Sequence, residues 1–296
     1  MNLHRLLAAR AAQNNPVRVA LIGCGKFGTM FLTQALQTDG LHVVGIADLD
    51  VDRARHNLKT AGWPSDRYDA SSLDSALRSG STHLSDNAAA LIRYEALDVV
   101  IEATGIPRAG IEHCRMAISA GHHIVMVSVE ADVLAGPLLA REAAAAGVVY
   151  SLAWGDQPAL ICEHVDWARA CGFEVVCAGK GTRYHPEYHQ LTPDTVWDVL
   201  RQYLDIEDPS SINLKMFNSF LDGTKSGIEM SAVCNATNLK PQADGLGFPP
   251  SSRFQLADVC KPSKNGGQLD RRGTTEVVSS LHRDGSDVQH HLAMGT

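Results

Sequence analysis

Residues 17–28 read VRVALIGCGKFG, an apolar run that leads directly into the glycine pattern G-x-G-x-x-G. The apolar run predicts a buried strand over Val17–Ile22, and the residues after it predict a helix. In this setting Gly23 allows a tight turn, Gly25 lets the backbone approach a pyrophosphate, and Gly28 lets helix and strand pack closely. The free N–H groups at the helix N-terminus favour an anion. The stretch therefore predicts a dinucleotide-binding turn whose cofactor-binding residues are Gly23, Gly25, Lys26, Phe27 and Gly28.

Strand-like and helix-like stretches alternate through the whole first half of the chain. Continuous Val- and Ile-rich runs separated by helices indicate a parallel sheet that is covered on both faces. We therefore predict an α/β protein, with a Rossmann-type doubly wound domain over residues 1–153 and an α+β substrate or dimerisation domain over residues 154–296. The predicted strands of the first domain are Val17–Ile22, Leu41–Ala47, Asp98–Glu102, His123–Val127 and Val148–Ser151.

The second half of the chain is less regular. Leu214–Ala236 predicts one long helix, whereas Phe173–Ala178 and Thr274–Ser280 predict strands. Residues 241–273 are rich in Pro, Gly, Ser and Lys and predict an extended loop, typical of a lid or a mobile segment. The abrupt end at Met294–Thr296 predicts that the chain is truncated at its C-terminus. Two further predicted helices are Asp156–Ala170 and Asp194–Tyr203.

Composition excludes several classes of protein. The chain has 26 basic and 33 acidic residues and a formal net charge of −7, so no nucleic-acid or anionic-membrane partner is expected. No apolar run approaches the roughly 18 residues of a membrane span. The seven cysteines are scattered without a C-x-x-C pair, which indicates reduced thiols in a cytoplasmic protein. A homodimer is left open.

The nicotinamide cofactor cannot be chosen on charge alone. Asp48 lies 20 residues beyond Gly28 at the end of a predicted strand, where it can accept hydrogen bonds from the adenosine ribose of NAD. Arg53 or Arg55 can instead turn back to a 2′-phosphate, since a guanidinium suits bidentate phosphate binding. A solvated first helical turn is the third interpretation of these arginines. The sequence leaves NADPH and NADH open.

Two other predicted strands end in residues that suit the cofactor or the substrate. Thr104 and Gly105 are small and would let a nicotinamide ring lie close to the backbone. Glu130 provides a carboxylate where the ring and the substrate should meet, because ligands of open α/β sheets bind beyond the carboxyl ends of the strands. An acid favoured by a helix N-terminus is the other interpretation of Glu130.

A basic segment in the second half predicts an anion site. Lys180, Arg183, His185 and His189 lie among glycines, whose N–H groups can complete a nest for a phosphate or carboxylate. An ordinary polar loop is the alternative.

A second candidate site lies on the predicted long helix. Asp222, Lys225 and Glu229 are spaced to share one helical face. Lys225 can act as a general acid, and Asp222 or Glu229 can take protons or help to hold a divalent cation. The alternative is a set of surface ion pairs, each worth less than ~1 kcal/mol.

These motifs carry a resemblance to known enzymes. Three stretches resemble the cofactor domain shared by homoserine dehydrogenases and glucose–fructose oxidoreductase-like enzymes: Val19–Gly28, Asp48–Ala54 and Asp98–Gly105. Four more resemble a homoserine dehydrogenase-like group that includes the bacterial 1-deoxy-D-xylulose 5-phosphate reductoisomerase-like enzymes: His123–Gly136, Gly155–Pro158, Gly179–His189 and Asn218–Glu229.

The resemblance implies NADPH-dependent conversion of 1-deoxy-D-xylulose 5-phosphate to 2-C-methyl-D-erythritol 4-phosphate, a step of isoprenoid precursor synthesis, with Mg²⁺ or Mn²⁺. The carbon skeleton rearranges, and a hydride then reduces the resulting aldehyde. In this interpretation the catalytic candidates are Lys180, Asp222 and Lys225, and the substrate-binding candidates, for a small phosphorylated sugar, are Glu130, Arg183, His185 and Glu229.

One departure from the family pattern bears on the substrate. Homoserine dehydrogenases usually carry Asn-Lys after the strand that here ends at Val127, whereas this chain reads Ser128-Val129-Glu130. The missing lysine favours the reductoisomerase over a homoserine dehydrogenase-type oxidoreductase. That alternative stays open, as does a dinucleotide-binding sensor without catalytic activity.

Overall fold

The computed structural model describes residues 2–204 and 212–289. The chain divides into two compact units, Met1–Trp154 and Gly155–Thr296. Each unit has its own sheet and its own buried clusters. The chain end at Met294–Thr296, which prompted the expectation of truncation, lies outside the described residues.

The first unit is built on a six-stranded parallel sheet with the order β3-β2-β1-β4-β5-β6. The predicted doubly wound α/β fold is therefore confirmed. The strand order reverses between β1 and β4, and in such sheets this reversal opens a crevice at the carboxyl ends of the strands. The strands are β1 (Val17–Ile22), β2 (Leu41–Ala47), β3 (His83–Ser85), β4 (Val99–Glu102), β5 (His123–Met126) and β6 (Tyr150–Leu152).

Both faces of this sheet are buried. In β1, Ala20 and Ile22 belong to one apolar cluster, and Val19 and Leu21 belong to a second one. Burial of each such Leu or Ile side chain stabilises the fold by roughly 1.5–3 kcal/mol. This two-sided burial explains why the strands read as continuous apolar runs rather than as alternating patterns.

Seven α-helices of the described chain belong to the first unit. Several begin at a residue whose side chain accepts a hydrogen bond from the first turn; Asp50, for example, accepts from the Arg53 N–H at 2.9 Å. The helices are α1 (Leu3–Ala12), α2 (Lys26–Ala35), α3 (Val51–Thr60), α4 (Leu73–Ser79), α5 (Ala88–Ile92), α6 (Pro107–Ala120) and α7 (Val129–Ala145), with a short 3₁₀ turn at Ser65–Arg67.

The second unit is an α+β structure around a two-stranded parallel sheet, β7 (Cys177–Thr182) and β8 (Thr274–Ser279). Two helices, α8 (Gln157–Ala170) and α11 (Thr224–Thr237), pack against each other and against this sheet. Val165, Met230, Val233, Leu239 and Val277 form the buried centre. The remaining helices are α9 (Trp197–Leu200), α10 (Leu214–Leu221) and α12 (Leu256–Val259), with 3₁₀ turns at Pro186–Gln190 and Ser263–Asn265.

Three details of the second-half prediction were wrong. The single helix over Leu214–Ala236 is two helices, because the chain turns at Gly223, whose φ of +87° cannot continue a right-handed helix. The strand expected at Phe173–Ala178 lies further along at Cys177–Thr182, so Lys180 lies on a strand rather than in a loop. Only Trp197–Leu200 of the helix expected at Asp194–Tyr203 is α-helical.

Part of the predicted loop 241–273 is anchored to the sheet. The buried carboxylate of Glu276 on β8 accepts hydrogen bonds from the Gly247 N–H (3.0 Å), the Val277 N–H (2.8 Å) and the Gln242 side chain. Within residues 2–204 and 212–289, no helix is long and apolar enough to cross a membrane.

Candidate functional site

The glycine turn of the first unit has the geometry that its sequence predicts. Gly23 has a φ of +94°, and a Cβ added there would lie 2.7 Å from the Ala103 carbonyl oxygen. A Cβ on Gly28 would lie 2.5 Å from the Gly23 carbonyl oxygen. Gly25, just before α2, has no atom within 4 Å of its hypothetical Cβ, so a ligand can approach the backbone there. Nearby backbone atoms therefore require glycine at positions 23 and 28, whereas Gly25 leaves the backbone accessible to a ligand.

Asp48, at the end of β2, holds this turn together. One carboxylate oxygen accepts the Cys24 N–H at 2.8 Å; the other accepts the Asp50 N–H at 2.9 Å and Nη2 of Arg53 at 2.7 Å. The Asp48 side chain is only 4% exposed. These three groups therefore donate hydrogen bonds to the carboxylate that was predicted to accept hydrogen bonds from the adenosine ribose. Burial, reinforced by the negative charge of Asp48, raises the pKa of Cys24 to about 11, so Cys24 stays a neutral thiol at physiological pH.

A cavity of about 460 Å³ lies beside the glycine turn. It contains five of the nine predicted cofactor residues, namely Gly23, Gly25, Asp48, Arg53 and Thr104. Lys26 and Phe27 are exposed at the start of α2, Gly28 is buried beneath the turn, and Gly105 is exposed after β4; none of these four lines the cavity. The lining residues are Ile22, Gly23, Gly25, Ala47, Asp48, Leu49, Arg53, Asp86, Ala88, Ala103, Thr104, Ile106, Ala109 and His113.

The structure distinguishes the two candidate arginines. Arg53 lines the cavity, and its side chain is 56% exposed although Nη2 contacts Asp48. Arg55 instead pairs with Asp52 at 2.8 Å on the exposed side of α3, outside the cavity lining. Arg53 is therefore the arginine that a cofactor phosphate in this cavity would meet.

A second cavity, of about 350 Å³, lies within the second unit. Three cationic side chains and two carboxylates line it, which is the composition expected for a site that binds an anionic substrate and moves protons. The lining residues are Gly155, Asp156, Gln157, Lys180, Gly181, Thr182, Arg183, Phe220, Leu221, Lys225 and Glu229.

Lys180 is the best-positioned polar group in this cavity. Its Nζ donates to Oε1 of Gln157 at 2.6 Å and contacts Oε2 of Glu229 in a short ion pair. Both Lys180 and Glu229 have largely buried side chains. Burial raises the pKa of Glu229, and the positive charges of Lys180 and Lys225 oppose that shift. An ammonium carries three N–H donors, so one remains for a ligand.

Arg183 lies over an aromatic ring. Its guanidinium carbon lies 5.0 Å from the centre of the Tyr203 ring, and Nη1 binds Oδ1 of Asp287 at 2.8 Å. Among the described residues, Nε of Arg183 has no hydrogen-bond partner although it is buried. The guanidinium is thus fixed in place and keeps donor capacity for an anion.

The structure places three other predicted site residues outside this cavity lining. Asp222 accepts from the Thr224 N–H (2.8 Å) and from Nδ2 of Asn218 (2.9 Å), so its carboxylate holds the turn between α10 and α11. His185 contacts the Arg283 carbonyl oxygen through Nε2 at 3.0 Å. Glu130 is half-buried in the first turn of α7, in the other unit. The site roles of Asp222, His185 and Glu130 stay predictions.

Sequence reasoning missed Gln157 and His113 as lining residues. Gln157 is the first residue of α8, after Asp156, which caps that helix, and before Pro158. This Asp-Gln-Pro run signals a helix start, but nothing local indicates that Gln157 faces Lys180. His113 lies in the middle of α6, where no motif marks it.

The donor set does not fit the predicted divalent metal. Across the described ranges no three His, Cys, Asp or Glu side chains converge. The second cavity contains two carboxylates, Asp156 and Glu229, and the ammonium of Lys180 already contacts Glu229.

Two family models match separate parts of the chain. Residues 17–127 match the oxidoreductase family with an NAD-binding Rossmann fold. Residues 155–296 match the catalytic domain of the oxidoreductase DRL. No curated protein matches the chain.

Similar solved structures include several oxidoreductases. A homoserine dehydrogenase from Thiobacillus denitrificans is 20% identical, with a TM-score of 0.40, over 52% of this chain and 34% of that one. A probable dehydrogenase from Thermotoga maritima is 17% identical, with a TM-score of 0.39, over 60% and 49%. Biliverdin reductase from Synechocystis, solved with biliverdin and NADP⁺, is 19% identical, with a TM-score of 0.38, over 57% and 48%. The chain thus spans between a third and a half of the length of these structures.

Proposed function

We propose that this chain reduces a small phosphorylated sugar with NADPH. The premise is that it joins the NAD-binding domain of an oxidoreductase family to a DRL-type catalytic domain. The observation that carries the proposal is the position of Lys180. Its ammonium is held by Glu229 and Gln157 in a cavity that contains two more cationic side chains. The resemblance of the sequence motifs narrows the substrate to 1-deoxy-D-xylulose 5-phosphate.

The substrate phosphate would bind Arg183 and Lys225. Arg183 is fixed by Tyr203 and Asp287 and keeps N–H groups for an anion, and Lys225 lies in the same cavity lining. A guanidinium binds phosphate oxygens in pairs, and an ammonium adds a point charge. With the phosphate held there, the sugar carbonyl lies within the same small volume as Lys180.

Lys180 would supply the proton of the reaction. When bound, the nicotinamide supplies a hydride to the carbonyl carbon of the aldehyde. Lys180 donates its remaining Nζ–H to the oxygen of that carbonyl, which becomes the product hydroxyl. Glu229 contacts Nζ and, because burial raises its pKa, is suited to return a proton to the amine. Asp156 is the candidate base for the hydroxyl that must lose a proton during the rearrangement.

NADPH is the preferred cofactor in this proposal because of how Asp48 and Arg53 are arranged. Asp48 accepts from Cys24, Asp50 and Arg53, so it contributes little to a free 2′-hydroxyl. Arg53 faces the cavity with its other N–H groups available for a 2′-phosphate.

The test measures nicotinamide absorbance with NADPH and 1-deoxy-D-xylulose 5-phosphate, with separate Mg²⁺ and EDTA arms. Substrate-dependent loss of NADPH is expected. Lys180→Met should lower kcat by about 100-fold or more, since general acid catalysis is worth roughly that much, and should leave NADPH binding unchanged. Lys215→Met, on the exposed side of α10, is the matched control and should keep full activity.

Three results would contradict the proposal. Full activity of Lys180→Met would show that Lys180 is not the general acid. Oxidation of L-homoserine in preference to any reaction of the sugar phosphate would support the homoserine dehydrogenase alternative. Tight NADPH binding without turnover of either substrate would support a sensor.

A further inference from the structure

Glu102 is a fully buried carboxylate at the carboxyl end of β4, with 0% of its surface exposed. Its Oε1 accepts from the Thr104 hydroxyl at 2.6 Å and lies 3.3 Å from Nδ1 of His113. Its Oε2 is buried and has no hydrogen-bond partner among the residues that the structure describes. A buried polar oxygen left without a partner destabilises a fold, so its presence calls for a role other than stability.

The carboxylate fixes the backbone beside the first cavity. The Thr104 hydroxyl donates to Glu102 and accepts the Ile106 N–H at 3.3 Å, which orders the turn after β4. Space for the carboxylate depends on Gly110, where an added Cβ would lie 3.0 Å from Oε2. Thr104 and Ile106 both line the 460 Å³ cavity.

His113 connects Glu102 to that cavity. It lies on α6, its side chain is mostly buried, and it is one of the lining residues. Because Nδ1 points at Glu102, Nε2 on the opposite side of the ring is the nitrogen that a ligand can meet. A carboxylate bound to one ring nitrogen in this way sets the orientation of the other.

We propose that His113 is a cofactor-binding residue whose Nε2 hydrogen-bonds to the adenosine half of the bound dinucleotide, and that Glu102 is its positioning residue. The adenosine half is assigned because the same cavity contains Asp48 and Leu49, just after the end of β2, and Arg53 in the first turn of α3. In folds of this type the end of that strand binds the adenosine ribose. The proposal concerns the first unit alone and does not depend on which substrate the second unit binds.

Two substitutions of His113 distinguish a ligand contact from a structural contact. His113→Asn places an amide near the position of Nδ1, which keeps the partner of Glu102 and deletes Nε2. His113→Gln places an amide near the position of Nε2 and deletes the partner of Glu102. The probes are NADPH and adenosine 2′,5′-bisphosphate, with binding measured by titration calorimetry. We expect the Asn variant to bind both probes about tenfold more weakly, a loss of one ordinary hydrogen bond, and the Gln variant to stay within about threefold of wild type.

Glu102→Gln tests the positioning role, because an amide oxygen is a weaker acceptor than a carboxylate oxygen for Nδ1 of His113, which faces Oε1 together with the Thr104 hydroxyl. Its effect on NADPH affinity should vanish in the His113→Asn background, since a positioning residue acts only through the group that it positions. Glu112→Gln, an exposed neighbour on α6, is the matched control. Thermal unfolding without cofactor identifies any variant that fails to fold.

Each contrary result overturns a part of the proposal. Wild-type affinity of His113→Asn, or a larger loss in His113→Gln, would make the histidine structural. If His113→Asn bound NADPH more weakly but bound adenosine 2′,5′-bisphosphate normally, a contact between His113 and the adenosine half of the cofactor would be excluded. An equal effect of Glu102→Gln in both backgrounds would remove its positioning role.

Discussion

Replacing Arg53 with alanine is expected to weaken NADPH binding far more than NADH binding. Arg53 lines the first cavity, and only its Nη2 is used by Asp48, at 2.7 Å. A hydrogen bond to a charged group is worth about 1.5–3 kcal/mol, and the half-exposed position of Arg53 favours the lower end of that range because solvent screens the charge. A loss of about 1.5–2 kcal/mol corresponds to roughly a 10- to 30-fold rise in the Kd for NADPH.

NADH should respond differently to the same substitution. Without Arg53, Oδ1 of Asp48 keeps only the Asp50 N–H and gains an acceptor position for a 2′-hydroxyl. The Kd for NADH should therefore stay unchanged or fall by a few-fold. Titration calorimetry with both cofactors measures the ratio directly. Arg55→Ala is the matched control, because Arg55 lies on the same helix but pairs with Asp52 away from the cavity.

Two outcomes would refute this reasoning. If Arg53→Ala weakened NADPH and NADH by the same factor, the arginine would support the fold of the turn rather than bind the phosphate. If Arg55→Ala produced the selective loss of NADPH binding, the assignment of the two arginines would be reversed.

Three further predictions concern the glycine turn, the second cavity and a buried acid. Gly23→Ala forces a side chain into a φ of +94°, at a cost of roughly 1–2 kcal/mol before any clash, so calorimetry should detect no NADPH binding; near-normal affinity would contradict this. Gln157→Leu removes the acceptor 2.6 Å from Nζ of Lys180 and should lower kcat about tenfold, whereas Gln157→Glu should retain more activity; equal rates in these two variants would argue against positioning. Burial raises the pKa of Asp132, although the Tyr150 hydroxyl opposes the shift, so the folded state binds this proton more tightly than the unfolded state does. The stability of the wild type should therefore fall as the pH rises through that raised pKa, and Asp132→Asn should unfold at a higher temperature than wild type at about pH 7, with the gap closing towards about pH 4. A gap that does not depend on pH would exclude this origin.

The glycine turn could be predicted because its requirements are local. Gly23 and Gly28 are dictated by backbone atoms a few residues away or in the adjacent strand end, and the motif encodes that proximity. The break at Asp222–Gly223 was equally local, since an Asp-Gly pair is a turn signal, but the apolar spacing on both sides concealed it.

The partners of the buried polar groups could not be predicted. Asp48 stands where an acid usually binds a ribose, and only the folded chain brings Arg53 and the Cys24 N–H to it. Gln157 lies on α8 and Lys180 lies on β7, 23 residues further along the chain. Their side chains come into contact only in the folded unit. Glu102 reads as the polar end of a strand, and its complete burial depends on Gly110.

Residues 241–273 were predicted to form a lid or a mobile segment, but the contacts of Glu276 hold part of this segment against the sheet. Opening the segment at Gly247 would strip a buried carboxylate of its donors, at a cost of at least about 3 kcal/mol, so fewer than about one molecule in a hundred would be open at any moment. None of these residues lines the 350 Å³ cavity of the second unit. Protease cleavage of the anchored part would proceed through this rare open form, and its rate would report the free energy of the local opening.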